Sequence, residues 1–490
     1  MLAPLPLGLA ALLALAPPPN SPPRDEPEVR ELIVSPAPLP DPALKHRLTI
    51  PDEARLPGSA VTYWYRAELV MAQDETIRVR NADGAAVRSR QGLAGDLLTE
   101  PPADLTAERI GRDVDFSDRG DGWESWQAFR DMEAAARRPP GDWGFGVEAL
   151  SGRESVEFLL PEIQNVRGLA RLITLRGRSR VGRGDYEGAL ADATVALRLS
   201  EDCGRAPFLV ADLVAVAVTT ITNDHLIEAI VAAPDSPNLY YALTERPDPA
   251  AGLADSWDFE FSFADRFAPW LKDAETREWP AERWRAELIA LHEAIDELDG
   301  NPATDRDQAV ATVDRLLTDD LPAAKAALVA AGLDPAAVDA MPPGQAIAAS
   351  QARTLRRMAD RQRVALALPP RQALAALTEI ETAFTADGAP ALLALSMWPS
   401  VRQAYAAGLR AQTDLAALWT IEALRAHAAA SGAFPQALED VVVVPVPENP
   451  GAGKAFGYRL EGETAVLEVI RDPARAPVNR IYRLTLRGDG

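Results

Sequence analysis

A mainly α-helical fold, with a helical-hairpin core closed by a small antiparallel β cap at the C-terminus, is what this sequence predicts. Three patterns predict it. From about Glu154 to Ala232 apolar residues recur at helical spacing, broken only by turn residues at Gly182-Arg183-Gly184 and from Cys203 to Pro207. A second long series of helical spacings ends in a helix over about 401–430, with Leu415, Leu418, Ile421 and Leu424 in register. After Gly432 the period shortens to that of strands, over Val441 to Val446, Phe456 to Leu460, Thr464 to Ile470 and Arg480 to Leu486.

Taken in chain order, Leu5 to Ala16 form an apolar run ending in Ala14-Leu15-Ala16, the small-x-small pattern of a cleavage site, so residues 1–16 read as a signal peptide. The run falls short of the roughly 20 residues that a spanning helix needs. Prolines recur through residues 17–57, which removes amide donors and predicts an extended linker. Residues 58–245 form an expected N-terminal helical domain, with helices over 60–72 and Trp123 to Arg137 and three more from Glu154 onward. Phe208 to Ile221 is apolar on nearly every face, which predicts a core helix rather than a membrane span, because Asp212 interrupts it. A second helical region, 246–400, carries helices near 281–298, 306–316, 320–331, 344–365 and 370–385. Residues 401–490 supply the long helix and the β cap.

Composition narrows the function classes. With 490 residues, 47% apolar and 25% charged, the chain has the makeup of a folded globular protein of two to four domains. Its net charge of −22 repels phosphate backbones and anionic lipid, so nucleic acid is not an expected partner. Cys203 is the one cysteine, which excludes an intrachain disulfide and any cysteine-based zinc site and predicts a buried, inert thiol.

Three resemblances rest on particular residues. Residues 169–201, with Gly177 at the small position of a first helix, Gly184-Asp185-Tyr186-Glu187 in the turn, and Ala189 and Ala196 in the second helix, resemble one tetratricopeptide hairpin. Ile173, Arg176 and Arg180 depart from the Trp, Leu and Tyr of that family, and no second unit follows at its period. The order of Tyr63-Trp64-Tyr65-Arg66-Ala67, Asp142-Trp143-Gly144, the hairpin, Pro237 to Thr244 and the C-terminal block resembles a large group of exported bacterial helical proteins with no established activity. That resemblance implies architecture and export but no catalytic residues. Gly432 to Leu438, Pro447-Glu448-Asn449-Pro450 and Gly453 to Leu460 are similar to the end of major pseudopilins, which implies a helix followed by a small sheet.

Candidate chemistry is sparse. His46, His225, His292 and His427 are far apart, and neither a His-Glu-x-x-His pair nor a Gly-x-Ser-x-Gly elbow is present, so no catalytic residue and no cofactor is expected. Gly451-Ala452-Gly453-Lys454 lacks the outer residues of a phosphate loop and reads as a turn. Asp113, Asp115, Ser117, Asp121 and Glu124 fall at positions 1, 3, 5, 9 and 12 of a calcium loop, yet Asp118 replaces the turn glycine; a solvated acidic loop is the reading. The remaining feature is a reversal of charge. Arg167, Arg171, Arg176, Arg178, Arg180 and Arg183 follow one another with no acid between them, and Arg167, Arg171 and Arg178 share a helix face that would suit a carboxylate, a phosphate or an acidic partner. Pairing with the chain's own acids is the competing expectation. The functional expectation is an extracytoplasmic helical scaffold, periplasmic or extracellular, that meets a protein or peptide partner and has no membrane span once the leader is removed. The alternative is a hydrolase or ligand-binding enzyme.

Overall fold

The computed structural model describes residues 27–73, 78–80, 86–87, 114–115, 126–146, 161–232, 234–247, 253–298, 306–386, 400–471 and 478–488. Strand β1 (Glu28–Val34) precedes α1 (Ala60–Gln73), the short strands β2 (Arg78–Arg80), β3 (Ala86–Val87) and β4 (Val114–Asp115), and α2 (Gln127–Ala136). Three long helices follow, α3 (Pro161–Gly182), α4 (Tyr186–Cys203) and α5 (Leu209–Ala232), then α6 (Tyr240–Thr244) and α7 (Leu253–Phe267). Helices α8 (Ala281–Leu298), α9 (Arg306–Arg315), α10 (Leu321–Ala330), α11 (Pro335–Ala340), α12 (Pro343–Leu366) and α13 (Pro370–Ala386) form the middle of the chain. Helix α14 (Ser400–Ser431) leads into β5 (Gly457–Glu461), β6 (Thr464–Val469) and β7 (Arg480–Leu486). The structure is mainly helical with one four-stranded sheet built around the C-terminal strands.

Helices α3 and α4 pack as a hairpin because the residues between them are turn and cap formers. Gly184 takes a φ of +79°, a conformation that side chains with a Cβ resist. Asp185 then accepts a hydrogen bond from the Gly188 amide at 3.0 Å and caps α4. Helix α5 lies against both members of the hairpin and also against α7 and α14. It is long and apolar enough to cross a membrane by length and composition, but 67% of its most apolar window is buried by these neighbours, as a core helix requires. Gly177 owes its size to α5: a Cβ there would meet the His225 ring at 2.4 Å. Helices α1 and α2 cover the other side of the hairpin with Trp64, Phe129 and Met132, all fully buried. Trp64 Nε1 donates to Asp202 Oδ2 and Trp143 Nε1 to the Asp202 carbonyl, each at 2.9 Å, tying this aromatic cluster to the end of α4.

The sheet region corrects three expectations. Residues 17–57 were expected to be linker throughout, yet Glu28–Val34 pairs in parallel with β7, from Glu28 opposite Arg480 to Val34 opposite Leu486. Pro27 and Pro36 bracket this stretch, but no proline lies within it, so its amides remain free to pair. The sheet order is β1-β7-β6-β5, with β5-β6 and β6-β7 antiparallel, so the antiparallel cap becomes a mixed sheet. Val441 to Val446 is not a strand. Pro445 and Pro447 withhold donors, Val441 and Val444 turn into the core, and Val442 stays 85% exposed.

Packing runs across the boundaries expected at 245 and 400. Leu209 and Leu213 of α5 share a cluster with Trp257 of α7, Met358 of α12, Leu377 of α13 and Val401 of α14. Trp270, Trp284 and Leu328 centre a further cluster among α8 to α12. In the sheet region Arg425 and Glu422 of α14 form a 2.8 Å ion pair with no exposure on either side. Arg425 also donates to the carbonyls of Ser35 (3.0 Å) and Ser236 (2.9 Å), while Glu422 accepts from the Leu239 amide (2.9 Å). At the sheet edge Arg480 bonds Glu28 at 2.9 Å and Asp414 at 3.2 Å.

Candidate functional site

Of the three arginines expected to share a binding face, Arg178 is already engaged: its guanidinium grips Glu228 of α5 through bonds of 2.6 and 2.7 Å. Arg176 is buried against Asp192 and stacks 4.2 Å above the Phe129 ring, its Nη2 reaching Glu133 at 2.7 Å. Arg180 joins the same Asp192 at 2.9 Å. Burial pushes the Asp192 carboxyl up to about 6 even against these cations. The run of arginines is therefore mainly an internal brace between α3, α4 and α5. Arg167 and Arg171 differ. Burial, and for Arg167 also the charge of Arg171 one turn on, lowers their affinity for a proton, and neither Nε nor Nη2 of Arg167 has a hydrogen-bond partner among the described residues. The structure thus brings Arg167 and Arg171 together and takes Arg178 away from them.

Of the acidic loop, only the backbone of Val114 and Asp115, in β4, is described; Asp113, Ser117, Asp121 and Glu124 lie outside the described residues. Cys203 is fully buried, its Sγ 3.5 Å from the Ala211 carbonyl, and burial pushes the thiol well above its ordinary range. Burial, then the Arg178 charge, pushes His225 down to about 4, so its ring is neutral in the core.

A basic groove that the reading of arginine runs missed lies between α10 and α12. It encloses about 590 Å³, within the size range of ligand sites, over a floor of Ala327, Leu328 and Ala331. One wall is a stripe on α12: Arg353, Arg357 and Arg361 stand at successive four-residue steps and therefore on one face, with Arg356 beside them. Arg353 is fixed by a two-pronged bond to Glu275, 2.6 Å from Nε and 2.8 Å from Nη2. A half-exposed pair of that kind contributes only about 0–1 kcal/mol, so its effect is to hold the guanidinium in place rather than to hold the fold together. Arg356 donates to the Lys272 carbonyl at 2.8 Å, and the bond from Arg353, with the charges of Arg353 and Arg356, holds the Glu275 carboxyl below its ordinary range. Arg357 reaches only Thr354, at 3.5 Å, and Arg361 is exposed with no ion pair among the described residues. Glu275 and Asp360 are the acids of the groove, and Glu275 is spent on Arg353. Tallying arginines by helix face over 344–365, instead of seeking runs without acids, exposes this stripe in the sequence.

Chemically the groove offers fixed positive charge beside a small apolar floor, an arrangement that holds a ligand carrying carboxylates and short apolar side chains. No protein-family model, curated protein or solved structure matches this chain.

Proposed function

We propose that this protein is a non-enzymatic helical scaffold that binds an acidic peptide segment of a partner protein in the α10–α12 groove. The observation that carries the reading is the Arg353, Arg357, Arg361 stripe above Ala327 and Leu328, in a chain whose net charge is −22. Against such a field a local cluster of arginines selects strongly for a negative segment and gives the complex its register. In this groove, and in a smaller pocket against α4, arginine is the commonest lining residue, four of eleven and five of thirteen, which supports binding over the hydrolytic alternative. Export belongs to the same proposal and is supported by the Leu5 to Ala16 run; N-terminal sequencing of the mature protein decides it.

The test uses a fluorescent peptide of alternating Glu and Leu and its Lys-for-Glu counterpart, titrated with the full chain. The acidic peptide should bind, and the basic one should not. Charge reversal at the two least engaged positions, Arg357→Glu with Arg361→Glu, should weaken binding at least tenfold, and raising the salt should weaken the wild type in the same direction. Equal affinity of the reversed variant, or equal binding of both peptides, would refute the groove as the site.

A further inference from the structure

A second, smaller pocket lies against α4. The segment Leu48 to Arg55, the C-terminal end of α2, helix α4 and residues 245–247 meet there around about 310 Å³. Five arginines line it, Arg55, Arg137, Arg138, Arg198 and Arg246, against Glu201 and Glu245. Following each charge to its partner shows which ones remain uncompensated. Arg198 bonds Glu201 at 2.6 Å and Asp202 at 2.8 Å. Arg55 pairs with Asp52 at 3.0 Å. Glu245 accepts from Thr49 at 3.1 Å and has Arg47 at 3.9 Å.

The other three arginines are oriented by neutral groups. Arg137 Nε donates to the Ala54 carbonyl at 3.0 Å. Arg138 donates to the Ala134 carbonyl and stacks 3.8 Å over the Tyr63 ring. Arg246 Nη1 donates to Asn223 Oδ1 at 2.6 Å. None of the three has a carboxylate within ion-pairing distance among the described residues. The negative end of α2 favours a cation at Arg137 and Arg138 but does not neutralise it. Arg246 follows the end of the short helix α6, its amide bonded to the Leu243 carbonyl. Burial pushes its guanidinium down to about 10, with the charge of Glu201 pulling weakly the other way.

We infer that this pocket is a binding site for a small oxyanion, a phosphate ester or a dicarboxylate, gripped by Arg137, Arg138 and Arg246. Guanidinium groups match such anions through paired N–H donors, and groups already held by neutral acceptors lose little freedom on binding. A volume of about 310 Å³ suits a compact metabolite, a ligand class distinct from the peptide proposed for the groove. It stands independently of the groove reading.

The experiment measures thermal stability of the full chain with inorganic phosphate, succinate or chloride at matched ionic strength. Saturable elevation of the melting temperature by phosphate or by succinate, but not by chloride, is the expected result; the more effective probe identifies which oxyanion is preferred. Arg246→Met should reduce that affinity at least tenfold. Because Arg246 is partly buried, the exposed Arg137→Gln serves as the second variant: it should keep the unliganded melting temperature and still weaken binding several-fold. Shifts no larger than those with chloride, or shifts unchanged in Arg137→Gln, overturn the inference.

Discussion

The α3–α4 hairpin and the sheet region solve one problem, a buried arginine, over very different chain separations. Arg176 meets Asp192 only 16 positions on, inside a unit whose turn and caps are written in the adjacent residues. Arg425 reaches back 390 positions to the Ser35 carbonyl, and Arg480 reaches 452 positions to Glu28. The chemistry is alike, charge-assisted hydrogen bonds away from water, but the hairpin's partners close a short loop and the sheet's partners tie together the two ends of the chain. Hairpin contacts can form locally, whereas the sheet's contacts depend on the rest of the chain being in place.

The largest expected effect tests the long-range side of this contrast. Arg425→Met removes the cation that faces Glu422 in a site with no exposure, and breaking a buried pair in that way costs about 3–5 kcal/mol. Adding Glu422→Gln should recover part of the loss in urea melts. A neutral Arg425→Met would show the network to be dispensable. On the local side, Ala189 is buried against Val181 and Ala229, where α3, α4 and α5 touch. Ala189→Leu should overpack that contact and cost about 1–3 kcal/mol by the same measurement. The matched control, His427→Ala, lies on a half-buried position of α14 and should stay within roughly ±0.5 kcal/mol. A severe control beside a neutral Ala189→Leu would reverse the ranking of the two regions.

A smaller effect separates them by pH. Although burial opposes its charge, Glu28 is held down to about 2 by Arg480 and Arg30, from an ordinary 4.5. A carboxylate lowered in the folded state stabilises it above the unfolded value, and that stabilisation disappears as the pH falls from 4.5 toward 2. With the side chain 34% exposed, about 1–2 kcal/mol survives solvent screening. Glu28→Gln should therefore flatten the acid limb of the stability curve over that window. An unchanged limb would show that Glu28 contributes nothing to β1 docking.

What the sequence made legible follows the same division. Helices α8, α9, α10, α12, α13 and α14 were readable to within a residue or two, and the Gly184-Asp185 stop and start placed the hairpin turn, because 3.6-residue periodicity and caps are local properties; α7 was not expected. Strands β5, β6 and β7 were readable for the corresponding reason. Strand β1 was not, since Pro27 and Pro36 mask it and its partner lies at the far end of the chain. Val441 to Val446 misled in the other direction, offering β-branched side chains where the prolines deny a ladder. Among candidate sites, Arg178 was lost to Glu228, a partner on another helix that no local pattern reveals. The α12 stripe was present in the sequence but interrupted by Asp360, and the small pocket was invisible because its arginines come from four separated segments.

The pairing of β1 with β7 also sets a clock on biosynthesis. At roughly 5–20 residues per second, the ribosome finishes β7 some 20–90 seconds after β1 has been made. Throughout that interval β1 has no ladder partner, and Val29 and Ile33 flank backbone amides still open to foreign strands. A nascent chain of this kind has reason to be met by a holdase before its last residues are translated, and any truncation that removes β7 leaves that exposed edge as a permanent feature of the product.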